Sequence, residues 1–313
     1  MKRSPFLAQV MQWMAVLLSC AASTAHGVEN GAPITPFGVN NYGAGIVPPA
    51  SADLTVAIRT SSYKAGELRN TNGDRPPTAV KLKVNSAALA IVKTTDISLL
   101  GGTYGFSLIV PYLDMSNRLT VPRPVEPLTL RGKDSAIGDV TLVPLSIQWT
   151  PSSNLFVNGR LELQLPTGRY KADRIINTGA NHWTVSPVIA FTWISPSGLE
   201  LSSNIQLNVH GKNKDTQYRS GIEYQHEFAV GQHIGPWTLG MGGYLYRQLS
   251  DDKVNGNRFE DGNRARVIAL GPAIGFMEEG SKGPLISAHF YKEFGARNRT
   301  QGKQFALRAA WSF

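Results

Sequence analysis

The sequence is poor in cysteine, in charge and in long apolar runs. The first and last of these shortages exclude a class of protein each. Its single cysteine, Cys20, cannot form a disulfide within the chain, so a disulfide-stapled scaffold is excluded. Charged residues make up 17% of the 313 residues, against the roughly 25% usual in soluble domains. The one apolar run, near the N-terminus, is shorter than the about 20 residues that a membrane-spanning helix needs.

That N-terminal run has the features of an export signal. A positively charged start and an apolar stretch precede small residues that suit a cleavage site. Residues 1–27 are therefore predicted to be a secretory signal peptide. The alternative is a lipoprotein signal with Cys20 acylated, although Leu18 is bulky for that motif. Export also argues against nucleic acid as a partner, despite the formal net charge of +9.

Two kinds of sequence follow the signal. Residues 28–51 are rich in Gly, Pro and Asn and are predicted to be an irregular N-terminal arm, which either plugs a lumen or remains a periplasmic tail. Beyond them, short segments alternate apolar and polar residues, as in residues 154–166. Such alternation suits a soluble β-sandwich, or a barrel whose apolar face meets lipid and whose polar face lines a lumen.

The spacing of these segments favours the barrel. Long linkers tend to follow the odd-numbered segments and short ones the even-numbered segments, as in outer-membrane barrels. Residues 52–313 are therefore predicted to form an all-β, antiparallel up-and-down transmembrane β-barrel in the bacterial outer membrane, although its second, basic segment is poorly patterned. The predicted strands lie near residues 52–63, 84–96, 101–113, 138–150, 153–166, 182–194, 199–210, 217–230, 236–249, 264–276, 284–294 and 303–313.

Aromatic residues recur where such a barrel would meet the two membrane interfaces. Trp183 and Trp193 lie on one face of a strand, ten positions apart, which corresponds to an axial rise of roughly 25 Å at the usual strand tilt. The chain ends in Phe313, and this ending resembles the signal read by the barrel assembly machinery. The predicted membrane-interface aromatics are Tyr112, Trp149, Trp183, Trp193, Trp237, Trp311 and Phe313.

Several Gly- and Pro-containing motifs resemble a known family. Gly138-Asp139 before VTLVPLSIQW, LPTGRY at Leu165–Tyr170 and NTGANHWTVSPVIAFTW at Asn177–Trp193 are similar to the outer-membrane family named for the phenol meta-pathway degradation protein. The resemblance spans most of the chain after residue 27. It implies a Gram-negative outer-membrane barrel that acts as a transporter in the catabolism of aromatic or hydrophobic compounds, and it implies no catalytic residues.

Polar and aromatic side chains on the predicted inner face could have either of two roles. They could form a selectivity lining in which arginines attract anionic or aromatic solutes, or an ion-pair network that fills a narrow barrel. The predicted lumen and solute-pathway residues are Arg59, Arg160, Glu162, Asn204, Arg219, Glu223, Glu227, Tyr244, Tyr246, Arg264, Arg266 and Arg308.

Together these patterns predict a channel for the uptake of small, aromatic or hydrophobic solutes. Its expected partners are the solute, outer-membrane lipid and the assembly machinery, and no cofactor or metal is implied, since the histidines lack paired ligand spacing. Two alternatives stay open: a structural or adhesion barrel without transport, and a lipid hydrolase that uses a pair such as Ser287 and His289.

Overall fold

The computed structural model describes residues 37–50, 54–277 and 284–313, so the predicted signal peptide lies outside the described residues. Within these ranges, no helix has the length and apolar character that crossing a membrane requires. The strands are β1 (Thr55–Arg69), β2 (Ala79–Leu99), β3 (Gly102–Val121), β4 (Leu128–Ile137), β5 (Thr141–Ser152), β6 (Leu155–Gln164), β7 (Thr184–Ile194), β8 (Leu199–His210), β9 (Tyr218–Arg219), β10 (Glu223–Ile234), β11 (Trp237–Gln248), β12 (Lys253–Val254), β13 (Asn257–Arg258), β14 (Arg266–Phe276), β15 (Leu285–Arg297) and β16 (Arg299–Ser312).

Twelve of these strands close into an antiparallel barrel, as the sequence predicts. Going round the barrel, the order is β1, β2, β3, β5, β6, β7, β8, β10, β11, β14, β15 and β16. The first and last strands pair directly, with Thr55 opposite Ser312, and their side-chain hydroxyls lie 2.8 Å apart. Because every strand of the ring has two neighbours, the ring leaves no unpaired edge.

A thirteenth strand, β4, lies where the sequence suggests a long linker. It pairs with residues 112–121 of β3, at the extracellular end of that strand, while β5 pairs with residues 103–109, at its periplasmic end. Residues 138–140 separate β4 from β5, and Asp139 fixes this break by accepting hydrogen bonds from the backbone N–H groups of Gly168 (2.7 Å) and Ala180 (2.8 Å). Residues 114–137, which the predicted strands leave as a long linker, are therefore largely strand, because β3 extends to Val121 and β4 covers Leu128–Ile137.

The poorly patterned second segment forms the longest of the described strands. β2 has 21 residues, enough for an axial rise of roughly 50 Å at the usual tilt, about twice the height of the apolar band. Its alternation is hidden because both faces are apolar near the membrane: Ala88 and Ala90 line the interior cavity, while Leu89 is exposed on the outside. The lysines at 81 and 83 belong to the part that projects beyond the apolar band.

The predicted interface aromatics lie on the outside of the barrel. Tyr112, Trp183, Trp237 and Phe313 are exposed, and the other three are half-buried. Trp237 packs edge-on against Phe276, with ring centroids 4.8 Å apart. Exposed tryptophan and tyrosine side chains suit a membrane interface, and their role there stays a prediction.

Candidate functional site

One half of the barrel interior is a packed polar network. Glu223 on β10 accepts hydrogen bonds from the Tyr246 hydroxyl (2.6 Å) and the Asn208 amide (3.1 Å), and its carboxylate lies 3.2 Å from His210 Nε2. All four side chains are buried. Charges enclosed in this way need polar partners, because burial removes their hydration. Here these partners come from the two neighbouring strands, β8 and β11.

A second carboxylate, Glu293 on β15, has an equally complete set of donors. The hydroxyls of Tyr63 (2.7 Å) and Tyr244 (2.8 Å), the backbone N–H of Gly302 (2.7 Å) and the Arg299 guanidinium (3.3 Å) all donate to it. Glu293 is buried and Arg299 is nearly so. This hub connects β1, β11, β15 and β16 across the lumen.

Arg160 and Glu162 on β6 reach the lumen from the opposite side. They form an ion pair with a separation of 2.8 Å, and Arg160 also donates to the Asn204 side chain at 2.9 Å. Both charges are therefore compensated within the protein.

The described part of the N-terminal arm lies inside the barrel against this polar half. Phe37 stacks on Tyr244 with ring centroids 4.7 Å apart, and the Arg299 guanidinium lies 4.9 Å from the centroid of the Phe37 ring. The backbone N–H of Asn40 donates to Glu227 at 2.5 Å. The arm thus adds a donor to a buried carboxylate that already accepts a hydrogen bond from Gln225 of the barrel wall at 2.9 Å.

The arm continues towards the periplasmic ends of the strands. Tyr42 places its hydroxyl 3.2 Å from the Ala273 carbonyl, and the Gly45 N–H donates to the Thr192 hydroxyl at 3.0 Å. A Cβ at Gly45 would stand 2.5 Å from backbone atoms of residues 156, 191 and 192, so only glycine fits this approach.

Two arginines attach the arm to the first and last strands. Arg59 on β1 donates to the Phe37 carbonyl at 3.1 Å, and Arg308 on β16 donates to the Tyr42 carbonyl at 3.2 Å. The two residues are directly opposite each other in the register of β1 and β16. They hold the arm at the seam where the barrel closes.

The other half of the interior is an open, mainly apolar cavity of about 460 Å³. The inner faces of β1, β2 and β3 form its wall, and residues of the β6–β7 loop cover it. The lining on β2 and β3 comprises Leu82, Val84, Ser86, Ala88, Ala90, Val92, Ser107, Ile109, Pro111, Leu113, Met115 and Asn117. A cavity of this size lies within the range of ligand sites in proteins.

Nine of the predicted lumen residues are brought together inside the barrel, and three are not. The assignments of Arg219, Arg264 and Arg266 to the lumen are corrected. Arg219 and Arg264 lie in the outer loops, where they contact the His210 carbonyl and the Asp251 carboxylate respectively. Successive residues of β14 face opposite sides of the barrel wall, and Val267 is fully buried on the inner side. Its neighbour Arg266 therefore points outward. The nine inside are Arg59, Arg160, Glu162, Asn204, Glu223, Glu227, Tyr244, Tyr246 and Arg308.

Sequence reasoning missed other members of the network. Tyr63 shares the inner face of β1 with Arg59, so the period-two pattern could have identified it. Arg299 follows the turn at Asn298, where a positive φ breaks the alternation, and no pattern predicts its side. The inward position of His289, by contrast, follows from the alternation of its strand, and its ring nitrogens lie 3.5 Å from Asn41 and 3.4 Å from Gln304. Among the residues placed by the structure, no cluster of three acidic, His or Cys side chains could hold a metal.

Comparisons with known proteins agree with this architecture. The model of the family described as "Putative MetA-pathway of phenol degradation" matches residues 65–309. The crystal structure of an outer membrane channel from Pseudomonas putida is similar, with 16% identity and a TM-score of 0.71 over 90% of this chain and 100% of that one. The KdgM porin is more distantly similar, with 11% identity and a TM-score of 0.41 over 83% of this chain and 99% of the porin. No curated protein sequence matches.

Proposed function

Because the chain belongs to the family of the MetA-pathway of phenol degradation, we propose that it is a channel for the uptake of small aromatic or hydrophobic solutes. Its fold is that of an outer-membrane barrel, and its location is the bacterial outer membrane. The observation that carries the proposal is the apolar cavity beside β1–β3, since a channel for hydrated ions would line its free space with polar groups.

The division of the lumen supports an apolar solute. The polar network and the arm occupy the side of β8–β16. On the β2–β3 side the free volume therefore faces alanine, valine and isoleucine side chains, while Arg59, Arg299 and Arg308 border it on the other side. Arg160 and Gln164 border this volume and offer hydrogen-bond donors at its edge. A ring compound would bury its faces against the wall of β2 and β3 and direct a polar substituent towards that edge.

In this proposal the N-terminal arm is a plug that restricts the channel. Its contacts with Thr192 and Ala273 are close to the periplasmic ends of β7 and β14. It therefore narrows the periplasmic exit, and its residues Phe37, Val39 and Asn40 border the apolar cavity without filling it. Movement of the arm would open a continuous path to the periplasm.

Uptake measurements with one matched pair of variants test the proposal. Ala88 lines the cavity, whereas its neighbour Ala87 lies on the other face of β2. Ala88→Trp should lower the entry of radiolabelled naphthalene into cells several-fold, while Ala87→Trp should leave it unchanged. Equal uptake by cells with and without the wild-type protein would overturn the proposal and favour a structural or adhesion barrel.

A further inference from the structure

The outward face of the barrel carries a row of three arginines that the protein itself does not neutralise. Arg247 on β11 pairs in register with Arg266 on β14, and Arg266 pairs with Arg297 on β15. All three side chains are exposed. The ion pairs found within residues 37–50, 54–277 and 284–313 include none of them. We call these residues the arginine row.

The arginine row lies at the outer edge of the lipid-facing belt. Arg266 and Phe276 share the outward face of β14 and are ten positions apart, which gives an axial rise of roughly 25 Å, the height of the apolar band. Between them the outward residues Ile268, Leu270 and Ile274 are apolar. The guanidinium groups therefore stand at the level of the lipid headgroups of the outer leaflet.

A β-bulge places the third arginine in the row. Phe294 and Arg297 both point outward although they are three positions apart, an odd spacing that a regular strand does not allow. The register between β14 and β15 shifts between these residues, and Gly295 has a φ of +64°. Without the extra residue Arg297 would point into the lumen, so the bulge is what aligns it with Arg266.

Like charges directly opposite each other on neighbouring strands repel, and here they do so twice in succession. Eight other arginines of the described residues have an acidic partner, as in the Arg160–Glu162 pair. Guanidinium groups bind phosphate with bidentate geometry. We propose that the arginine row binds the phosphate groups of an anionic lipid headgroup in the outer leaflet. Tyr224, opposite Arg247 in the register, adds an amphipathic ring beside the site.

The experiment compares two triple variants of the full-length protein in detergent. The first neutralises the arginine row with R247Q, R266Q and R297Q. The matched control removes three exposed arginines from the β3–β4 hairpin, above the membrane, with R118Q, R123Q and R131Q. Each protein is titrated with diphosphorylated lipid A, with the same glycolipid after removal of both phosphates, and with inorganic phosphate, while the melting temperature is recorded.

The wild type and the control should gain about 5 °C at saturating diphosphorylated lipid A. The row variant should need at least about tenfold more of this lipid for half of the effect, since three exposed charge pairs are lost. Without lipid, the row variant should melt no lower than the wild type, because its repulsion is relieved.

Three results would overturn the inference. One is a wild-type shift that the phosphate-free glycolipid reproduces, which would mean that acyl chains alone bind. Another is an equal shift with inorganic phosphate, which would mean an ion site rather than a lipid site. The third is an unchanged lipid response in the row variant.

Discussion

At the scale of single residues, the lumen depends on carboxylates that are buried and fully hydrogen-bonded. Glu293 receives four donors, and its charged partner Arg299 also lies against the aromatic rings of Phe37 and Tyr246. The inner-face pattern predicts that Tyr244 and Tyr246 point inward, but it cannot predict the partner of each hydroxyl. Those partners come from distant strands, whose register the sequence does not reveal.

Removing one member of this ion pair should be costly. Arg299→Met leaves the Glu293 carboxylate buried without its cation, and we expect a loss of about 3–5 kcal/mol in the free energy of unfolding. Urea titration in lipid vesicles, followed by tryptophan fluorescence, measures this loss. The double variant Arg299→Met with Glu293→Gln should lose less than the single variant, and an additive loss would contradict the pairing.

Gly45 should control the seating of the arm. Gly45→Ala would place a methyl group 2.5 Å from backbone atoms of β6 and β7, so the arm must shift and the single-channel conductance in planar bilayers should rise. Gly66→Ala is the control, because open space surrounds that glycine on β1. A conductance equal to that of the wild type would show that the arm does not restrict the path.

At the scale of elements, the sequence predicts strands where one face meets lipid and the other meets polar groups. β7, β8 and β10 show this contrast. The predicted bounds of β7 and β8 are within two residues of the observed ones, whereas β10 begins six residues later and ends four residues later than predicted. β2 conceals it because both faces are apolar. β4 conceals it in the opposite way, since its outward residues Arg131 and Lys133 are beyond the lipid. Alternation therefore depends on a difference between the environments of the two faces of a strand, and a strand without such a difference is not detected.

The break between β4 and β5 should depend on Asp139. Asp139→Ala leaves the half-buried N–H groups of Gly168 and Ala180 without their acceptor, at a cost of about 1 kcal/mol for each hydrogen bond. The β6–β7 loop should then be cut faster by trypsin at Arg169 and Lys171. Asp173→Ala, at an exposed position of the same loop, should not change the rate, and equal rates in both variants would refute the role of Asp139.

The outer loop after β11 should respond to pH. Burial raises the pKa of Asp252 to about 7, although Tyr218, Gly221 and Gln248 donate hydrogen bonds to it. An acid with a raised pKa stabilises the folded loop at low pH, and this contribution is lost as the pH rises from about 4 towards 7. Hydrogen exchange in residues 249–263, corrected for intrinsic rates, should therefore be slower at pH 5 than at pH 8.

Asp252→Asn provides the check on this explanation. The amide cannot ionise, so the exchange in this loop should lose its pH dependence while the strands keep theirs. Persistence of the full pH effect in this variant would assign the titration to another group.

At the scale of the whole molecule, the interior is divided between a filled half and an open half. The filled half carries the arm and the buried charges, and the open half carries the apolar cavity of about 460 Å³. The sequence predicts the barrel and most of the inward charges, because both follow from alternation. It cannot predict the division, which depends on where the arm lies and on how the strands are staggered around the ring.

The arm should be dispensable for the barrel but not for its permeability. Deleting residues 28–50 removes the contacts of Phe37, Tyr42 and Gly45, and we expect a folded barrel with a higher conductance. Heat-modifiable migration on a gel reports the folded barrel, and planar bilayers report the conductance. A folded barrel whose conductance matches that of the full chain would exclude the arm as a plug.

The direct pairing of β1 with β16 has a consequence for biogenesis. Thr55 and Ser312 are 257 positions apart in the chain, so the ring cannot be completed until its final strand has been translocated. Loop-closure entropy makes such a distant pairing slow. Until the ring closes, the incomplete sheet has two edge strands with unpaired backbone groups. Protection of those edges until the ring closes therefore limits aggregation of the unfinished barrel.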